Sequence, residues 1–276
     1  MSRRTMVVSG FLALALAGAA VAEVPPSGAK LTAEQVVQKN IEARGGLQAW
    51  RAVNTLSMSG TMDAGGNESS TRLAMQGNKI GGVQLPKRPK DQAQLPFRME
   101  LKRTRKSRLE IDFRGKTAIQ VYDGTKGWKL RPFLNRREVE PFTADELKTA
   151  AMQSDLDGSL VDYAAKGTMV ALEGTDKVDG NDAYRLKLTF KNGSVQHLWI
   201  DAKTFLEAKI DGTPRRLDGK SHPVEVYYRD FRPVSGLMMP FVLETKVQGV
   251  KQTEKILVEK ATVNPAVEDS RFAKLQ

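Results

Sequence analysis

The sequence predicts a mainly β protein, an antiparallel sheet with short helical inserts, on three observations. Apolar residues alternate with a period of two from Thr55 almost to the end of the 276-residue chain. Asp-Gly and Asn-Gly pairs, which tolerate positive φ, punctuate that alternation at hairpin spacing. Capping-box patterns at Thr32 and Thr143 mark the two places where helices begin.

The chain opens on Met1-Ser2-Arg3-Arg4 and an apolar, small-residue run from Met6 to Ala22. This is the pattern of a secretory signal peptide, residues 1–22, with Ala20-Val21-Ala22 as the cleavage signature. A membrane anchor is the alternative. The run is shorter than the roughly 20 apolar residues a bilayer core requires, carries Gly10 and Gly18, and is followed by Pro25 and Pro26. What remains, residues 23–276, is expected to be a single β-domain, exported to the periplasm and soluble. The chain has no cysteine, so burial rather than disulfides must hold it together, and no thioether lipid anchor is expected.

Thr32-Ala33-Glu34-Gln35 starts a helix to about Arg44, with Val36, Val37, Asn40 and Ile41 on one stripe and Gly45-Gly46 as its stop. A short helical turn from Leu47 to Val53 turns Leu47, Trp50 and Val53 inward. Strands follow around Leu56–Met62, Leu73–Met75, Phe97–Leu101, Leu109–Phe113, Ile119–Val121 and Trp128–Leu130, the last two joined by Asp123-Gly124. Thr143 opens a helix through Met152, and a further short helix is expected between Asp155 and Gly167 with Leu156, Leu160, Val161 and Ala164 facing in. Strands resume from Val170 to Val263, with turns at Asp179-Gly180, Asn192-Gly193 and Asp218-Gly219. One segment, residues 77–96, is rich in Gly, Pro and Lys and too long for a tight hairpin; it reads as a mobile surface loop, or as a lid or docking arm.

No catalytic constellation is visible. The chain has no nucleophile elbow, P-loop, G-x-G-x-x-G or H-E-x-x-H. Its two histidines, His197 and His222, lack metal-ligand spacing, so no metal and no cofactor is expected. Asp155 and Asp157 before Gly158 look like a fragment of a calcium loop whose other ligand positions are missing. The formal charge of +11 raises nucleic acid, but export and the absence of interleaved stacking aromatics argue against it. Lys102, Arg105 and Arg108, crowded with Arg103 and Lys106 in one strand-turn region near Lys87, Arg88 and Lys90, suit an anionic headgroup, a membrane surface or a partner; a solvated turn is the plain alternative.

Ala43-Arg44-Gly45-Gly46-Leu47-Gln48-Ala49-Trp50, Thr55 to Gly60, Val121-Tyr122-Asp123-Gly124-Thr125-Lys126-Gly127-Trp128, Asp182 to Leu186, Trp199 to Thr204 and Gly236 to Phe241 resemble the outer-membrane lipoprotein-sorting proteins. The resemblance spans most of the chain and implies a LolA/LolB-like fold: an unclosed antiparallel half-barrel of about 10–11 strands, its concave face covered by short helices. It implies a non-enzymatic carrier of lipid or lipoprotein acyl chains, with an inner-membrane donor and an outer-membrane acceptor. The similar RseB-like fold relatives offer the alternative of an envelope-stress sensor that binds lipid or outer-membrane protein and a protein partner. On this resemblance the hollow is lined by Met58, Met62, Met75, Met99, Leu101 and Leu109, positions that otherwise read as ordinary core. Ile111, Ile119, Val121, Trp128, Leu186 and Leu188 complete the expected lining. Arg103, in the pair Lys102-Arg103, is implied to hold the helical lid.

Overall fold

The computed structural model describes residues 31–65, 92–132, 136–217 and 219–275. The N-terminal apolar run, Met75 and most of the 77–96 segment lie outside them. Two helices come first, α1 (Ala33–Ala43) and α2 (Leu47–Arg51). The Thr32 hydroxyl accepts from the Gln35 N–H at 3.2 Å, and the Gln35 side chain accepts from the Thr32 N–H at 2.8 Å. These reciprocal bonds satisfy amides that a helix start leaves free. Gly45 and Gly46, at φ 109° and 92°, end α1. At Gly45 a β-carbon would meet the Gly236 carbonyl oxygen at 2.4 Å, so both the backbone angle and the close approach require glycine there.

The strands are β1 (Thr55–Gly65), β2 (Gln92–Lys102), β3 (Lys106–Phe113), β4 (Lys116–Tyr122), β5 (Gly127–Arg131) and β6 (Arg136–Pro141). After α3 (Ala144–Gln153) come β7 (Met169–Val178), β8 (Asn181–Thr189), β9 (Val195–Asp201), β10 (Glu207–Leu217), β11 (Lys220–Val234), β12 (Leu237–Val247) and β13 (Glu254–Val263). They form one 13-stranded antiparallel sheet that is not closed, in the order β6-β5-β4-β3-β2-β1-β13-β12-β11-β10-β9-β8-β7. Two meanders are joined through β1 and β13, where Leu56 faces Val263 and Met62 faces Ile256.

Several expectations are corrected. The sheet has two or three more strands than expected, and β2 begins at Gln92, so residues 92–96 are strand rather than loop. The region from Leu156 to Gly167 is a series of turns, not a helix. Leu156, Leu160 and Val161 are nevertheless buried as expected, while Ala164 is exposed. The amphipathic stripe of α3 is only half-buried, and Met152 on it is exposed.

Direct cross-strand partners point to the same side of a sheet, so the registers sort every side chain. One face, here the inner one, carries Leu56, Met58 and Met62 of β1 beside Leu101, Met99 and Leu95 of β2. It continues through Leu109 and Ile111 to Gln120 and Ala118, and on to Lys129. The helices cover this side. Lys129 on it meets Glu146 of α3 at 2.5 Å, and the Ser107 hydroxyl accepts from the Ser154 hydroxyl at 2.8 Å. On the other half, Arg44 just past α1 reaches Glu207 at 3.3 Å, and Glu207 pairs with the wholly buried inner residue Ile200.

The opposite, outer face is crossed by the C-terminal segment, which ends in a single 3-10 turn (Asp269–Phe272) lying against β3. Asn264 starts the crossing. Its side-chain oxygen accepts from the Asn54 N–H at 2.7 Å, and its own N–H donates to the Thr55 carbonyl at 2.8 Å. Arg271 then pairs with Glu100 at 2.8 Å and Glu110 at 3.2 Å. Phe272 is 1% exposed.

Candidate functional site

The inner face is sealed at the end near α1 and α2, partly open farther along β1, β2, β3, β12 and β13, and buried again at Val224 and Val247 near the far ends of β11 and β12. At the ends of β1, β2 and β12 nearest α1 and α2, Leu56, Leu101, Leu237 and Met239 are buried. The covering segments are fastened at this end: the Met238 N–H donates to the Arg44 carbonyl at 3.1 Å, and the Trp50 indole N–H to the same carbonyl at 3.0 Å. Toward the other end, Met58, Met99 and Leu109 form a partly exposed row across three neighbouring strands. Beyond the buried Phe97, Gly60 and Val258, a second partly exposed row, Leu95, Met62, Ile256 and Leu243, runs across β2, β1, β13 and β12. Val226 and Ile210 extend the apolar surface onto β11 and β10. Strands impose this arrangement, since residues two apart on one strand must share a face.

Of the expected lining, Met58, Met62, Met99, Leu101, Leu109 and Ile111 lie on the inner face, with Leu101 at its sealed end. Leu186 and Leu188 lie there too, but both are wholly buried. Ile119, Val121 and Trp128 do not belong with them. Ile119 is paired with Glu110 and Val121 with Arg108, which places them, and Trp128 beside Val121, on the outer face that the C-terminal segment crosses. Met75 lies outside the described residues. The residues that sequence reasoning missed are Leu95, Val226, Leu243 and Ile256, whose shared face follows only from the registers.

The basic candidates are differently employed. Lys102 donates to the Val267 carbonyl at 2.7 Å and pairs with Asp269 at 3.2 Å; Lys106 pairs with Asp269 at 2.9 Å. These two ammonium groups hold the Asp269 carboxyl below the usual carboxylate range. Arg108 binds Glu110 at 2.6 Å and the Arg271 carbonyl at 3.1 Å. Lys102 and Arg108 are therefore occupied by the chain's own C-terminal segment rather than available to a headgroup. Arg105 alone of the three is exposed.

Arg103 is drawn into the cover of the inner face. It donates to the carbonyls of Trp50 at 2.7 Å and Val53 at 2.5 Å, at the end of α2, and pairs with Asp157 at 2.8 Å. Asp157 is 1% exposed. Lys166 binds it at 2.6 Å, and Asp155 at 2.9 Å. Burial pushes the Asp157 carboxyl up, but Lys166 and Arg103 outweigh it and hold the group below its ordinary value. At Asp155 burial wins over Lys166, and the carboxyl is raised. The fragment that looked like a calcium loop thus holds a lysine ammonium. His197 sits half-exposed on the outer face, 2.7 Å from Asp211 and 3.4 Å from Glu173, and His222 is half-buried against the Gln248 carbonyl rather than free in solvent. Among the described residues no group of three His, Asp or Glu side chains is placed to hold a metal ion.

An open antiparallel sheet with helices on one face is also the architecture of solved proteins. A LolA superfamily protein from Nitrosomonas europaea matches at TM-score 0.54 and 14% identity, over 89% of this chain and 99% of that one. The fold is LolA-like. A DUF1329 family protein from Desulfovibrio piger matches at TM-score 0.55 and 13% identity, covering 87% of this chain and 97% of its own. An outer membrane lipoprotein-sorting protein domain from Vibrio parahaemolyticus matches at 0.53 and 10%, covering 87% and 95%. No family model and no curated protein matches the sequence. Among the described residues no helix is long and apolar enough to cross a membrane.

Proposed function

We propose that this LolA-like chain is a non-enzymatic periplasmic carrier that holds an acyl chain of a lipid or lipoprotein against the inner face of its sheet. One observation carries the reading: two partly exposed apolar rows, Met58–Met99–Leu109 and Leu95–Met62–Ile256–Leu243, lie on the side the helices cover, flanking the buried Phe97, Gly60 and Val258. A hydrocarbon tail laid on these rows gains about 0.8 kcal/mol per buried methylene, so part of one acyl chain supplies useful affinity without covalent chemistry. The methionines suit a cargo of variable shape, since an unbranched thioether side chain adapts at little cost. The inner-membrane donor and outer-membrane acceptor follow from the same reading, because a carrier needs a source and a destination.

The test is binding of a fluorescent fatty-acid probe to the purified protein. Met58→Glu and Leu109→Glu each place a charge on partly exposed positions, where the fold can tolerate it and a hydrocarbon cannot. Each is expected to weaken probe binding at least tenfold with the far-UV circular dichroism unchanged. Undiminished binding in both variants removes the inner face from the function. Leu101→Glu, by contrast, buries the charge at the sealed end and is expected to unfold the protein.

A further inference from the structure

Antiparallel connectivity puts alternate hairpin turns at opposite ends of the sheet. The turns β3–β4, β8–β9, β10–β11 and β12–β13 all lie at the end away from α1 and α2. Each carries at least one exposed cation: Arg114 and Lys116, Lys191, Arg216 and Lys220, and Lys251. None of these six is in an ion pair among the described residues. Of the carboxylates near these turns, Glu254 is ion-paired, while Asp63 and Asp112 accept from neutral donors and keep their charge. Asp63 accepts from the Lys255 N–H at 2.9 Å, Asp112 from the Thr117 hydroxyl at 2.5 Å, and Glu254 binds Arg215 at 2.6 Å. At the opposite end the turns mix signs, Asp123, Asp179 and Asp201 alternating with Arg105, Lys126 and Lys203.

Across β2, β1, β13 and β12 the inner face is partly exposed toward this rim, at Leu95, Met62, Ile256 and Leu243, while Leu217, Val224 and Val247 form a buried cluster beside the β10–β11 and β12–β13 turns. We infer that this rim docks the protein on an anionic membrane surface, presenting the open part of the apolar inner face to lipid. The inference rests on the lipid-binding reading and adds the source from which lipid comes. An acidic bilayer fits better than a nucleic acid because the cations are spread around the rim of the sheet, one turn after another, rather than along a single groove, and because the surface they surround is apolar. Near-surface lysines and arginines are each attracted by an anionic leaflet, and their contributions accumulate within a Debye length.

The experiment is sedimentation of the purified protein with vesicles of phosphatidylcholine alone, or with about 25% phosphatidylglycerol, at low and high salt. Binding is expected only to the anionic vesicles and only at low salt. The triple variant Arg216→Glu, Lys220→Glu, Lys251→Glu is expected to lose on the order of a hundredfold in vesicle affinity. Lys126→Glu with Lys203→Glu, at the other end, is expected to bind as the parent does. Equal loss in both variants would reduce the effect to net charge, and equal binding to neutral vesicles would remove the electrostatic dock; either overturns the inference. Retention of duplex DNA with no vesicle binding overturns it in favour of nucleic acid. Probe binding in the absence of vesicles separates the two ideas: a rim variant that keeps the probe but not the vesicle leaves the inner-face reading intact, and loss of the probe in the parent strikes that reading alone.

Discussion

Phe272→Ala is expected to lower folding stability by about 3–5 kcal/mol, the cost of truncating a buried aromatic side chain whose site cannot fully collapse. Phe272 is only three residues beyond the start of the final turn, yet it is 1% exposed. It anchors the segment whose polar groups complete the outer face. Without it, Arg271 loses its fixed position, and Glu100, itself 2% exposed, keeps only Arg98 at 2.8 Å. Urea unfolding should show the loss as a lower midpoint with an unchanged slope, since the surface exposed on unfolding hardly changes. Phe272→Leu should recover most of it. A midpoint shift worth less than about 1 kcal/mol in the alanine variant would mean that the C-terminal segment merely rests on the sheet.

That segment shows where local sequence pattern stops being informative. Lys102, Lys106 and Arg108 look like a free basic patch because their partners, Val267, Asp269 and Arg271, are some 160 residues away. The cations in no ion pair among the described residues, by contrast, are scattered over four hairpin turns and form no run in the sequence. The strands themselves were legible because their period of two survives wherever one side is apolar. β6 was not, since Arg136–Pro141 offers Val139 as its sole strong apolar residue. Face assignment needed register. The two-residue turn at Arg114-Gly115 pairs Phe113 with Lys116, so the apolar residues of β3 meet Ala118 and Gln120, and Ile119 and Val121 fall on the far side. Their alternation is correct and their face is not, because a period of two leaves the side undetermined. Capping boxes at Thr32 and Thr143 were read correctly since every partner lies within one helical turn.

Asp157→Ala tests the polar node that ties the cover to the sheet. The substitution leaves Arg103 and Lys166 facing a site that has lost its carboxylate, and breaking a buried pair costs about 3–5 kcal/mol. Both cations retain some solvent contact, with side chains 33% and 19% exposed, which places the expected loss at the lower end, about 3 kcal/mol, or roughly 6–12 °C in melting temperature for a domain of this size. The cover should loosen as well, seen as increased binding of a hydrophobic dye at temperatures below the transition. The pH dependence supplies the sign. The Asp157 carboxyl is held below its ordinary 3.8, so its contribution is fully present above that value and is lost as pH falls through the folded-state value. Asp155 is raised and works in the opposite direction, gaining its proton earlier in the folded state and offsetting part of the loss. The stability difference between parent and Asp157→Ala should therefore stay constant from neutral pH to about 4 and shrink below it. A difference that instead vanished already near neutral pH would show that the carboxylate carries no charge when folded, and the node would then be held by Arg103 and the backbone alone.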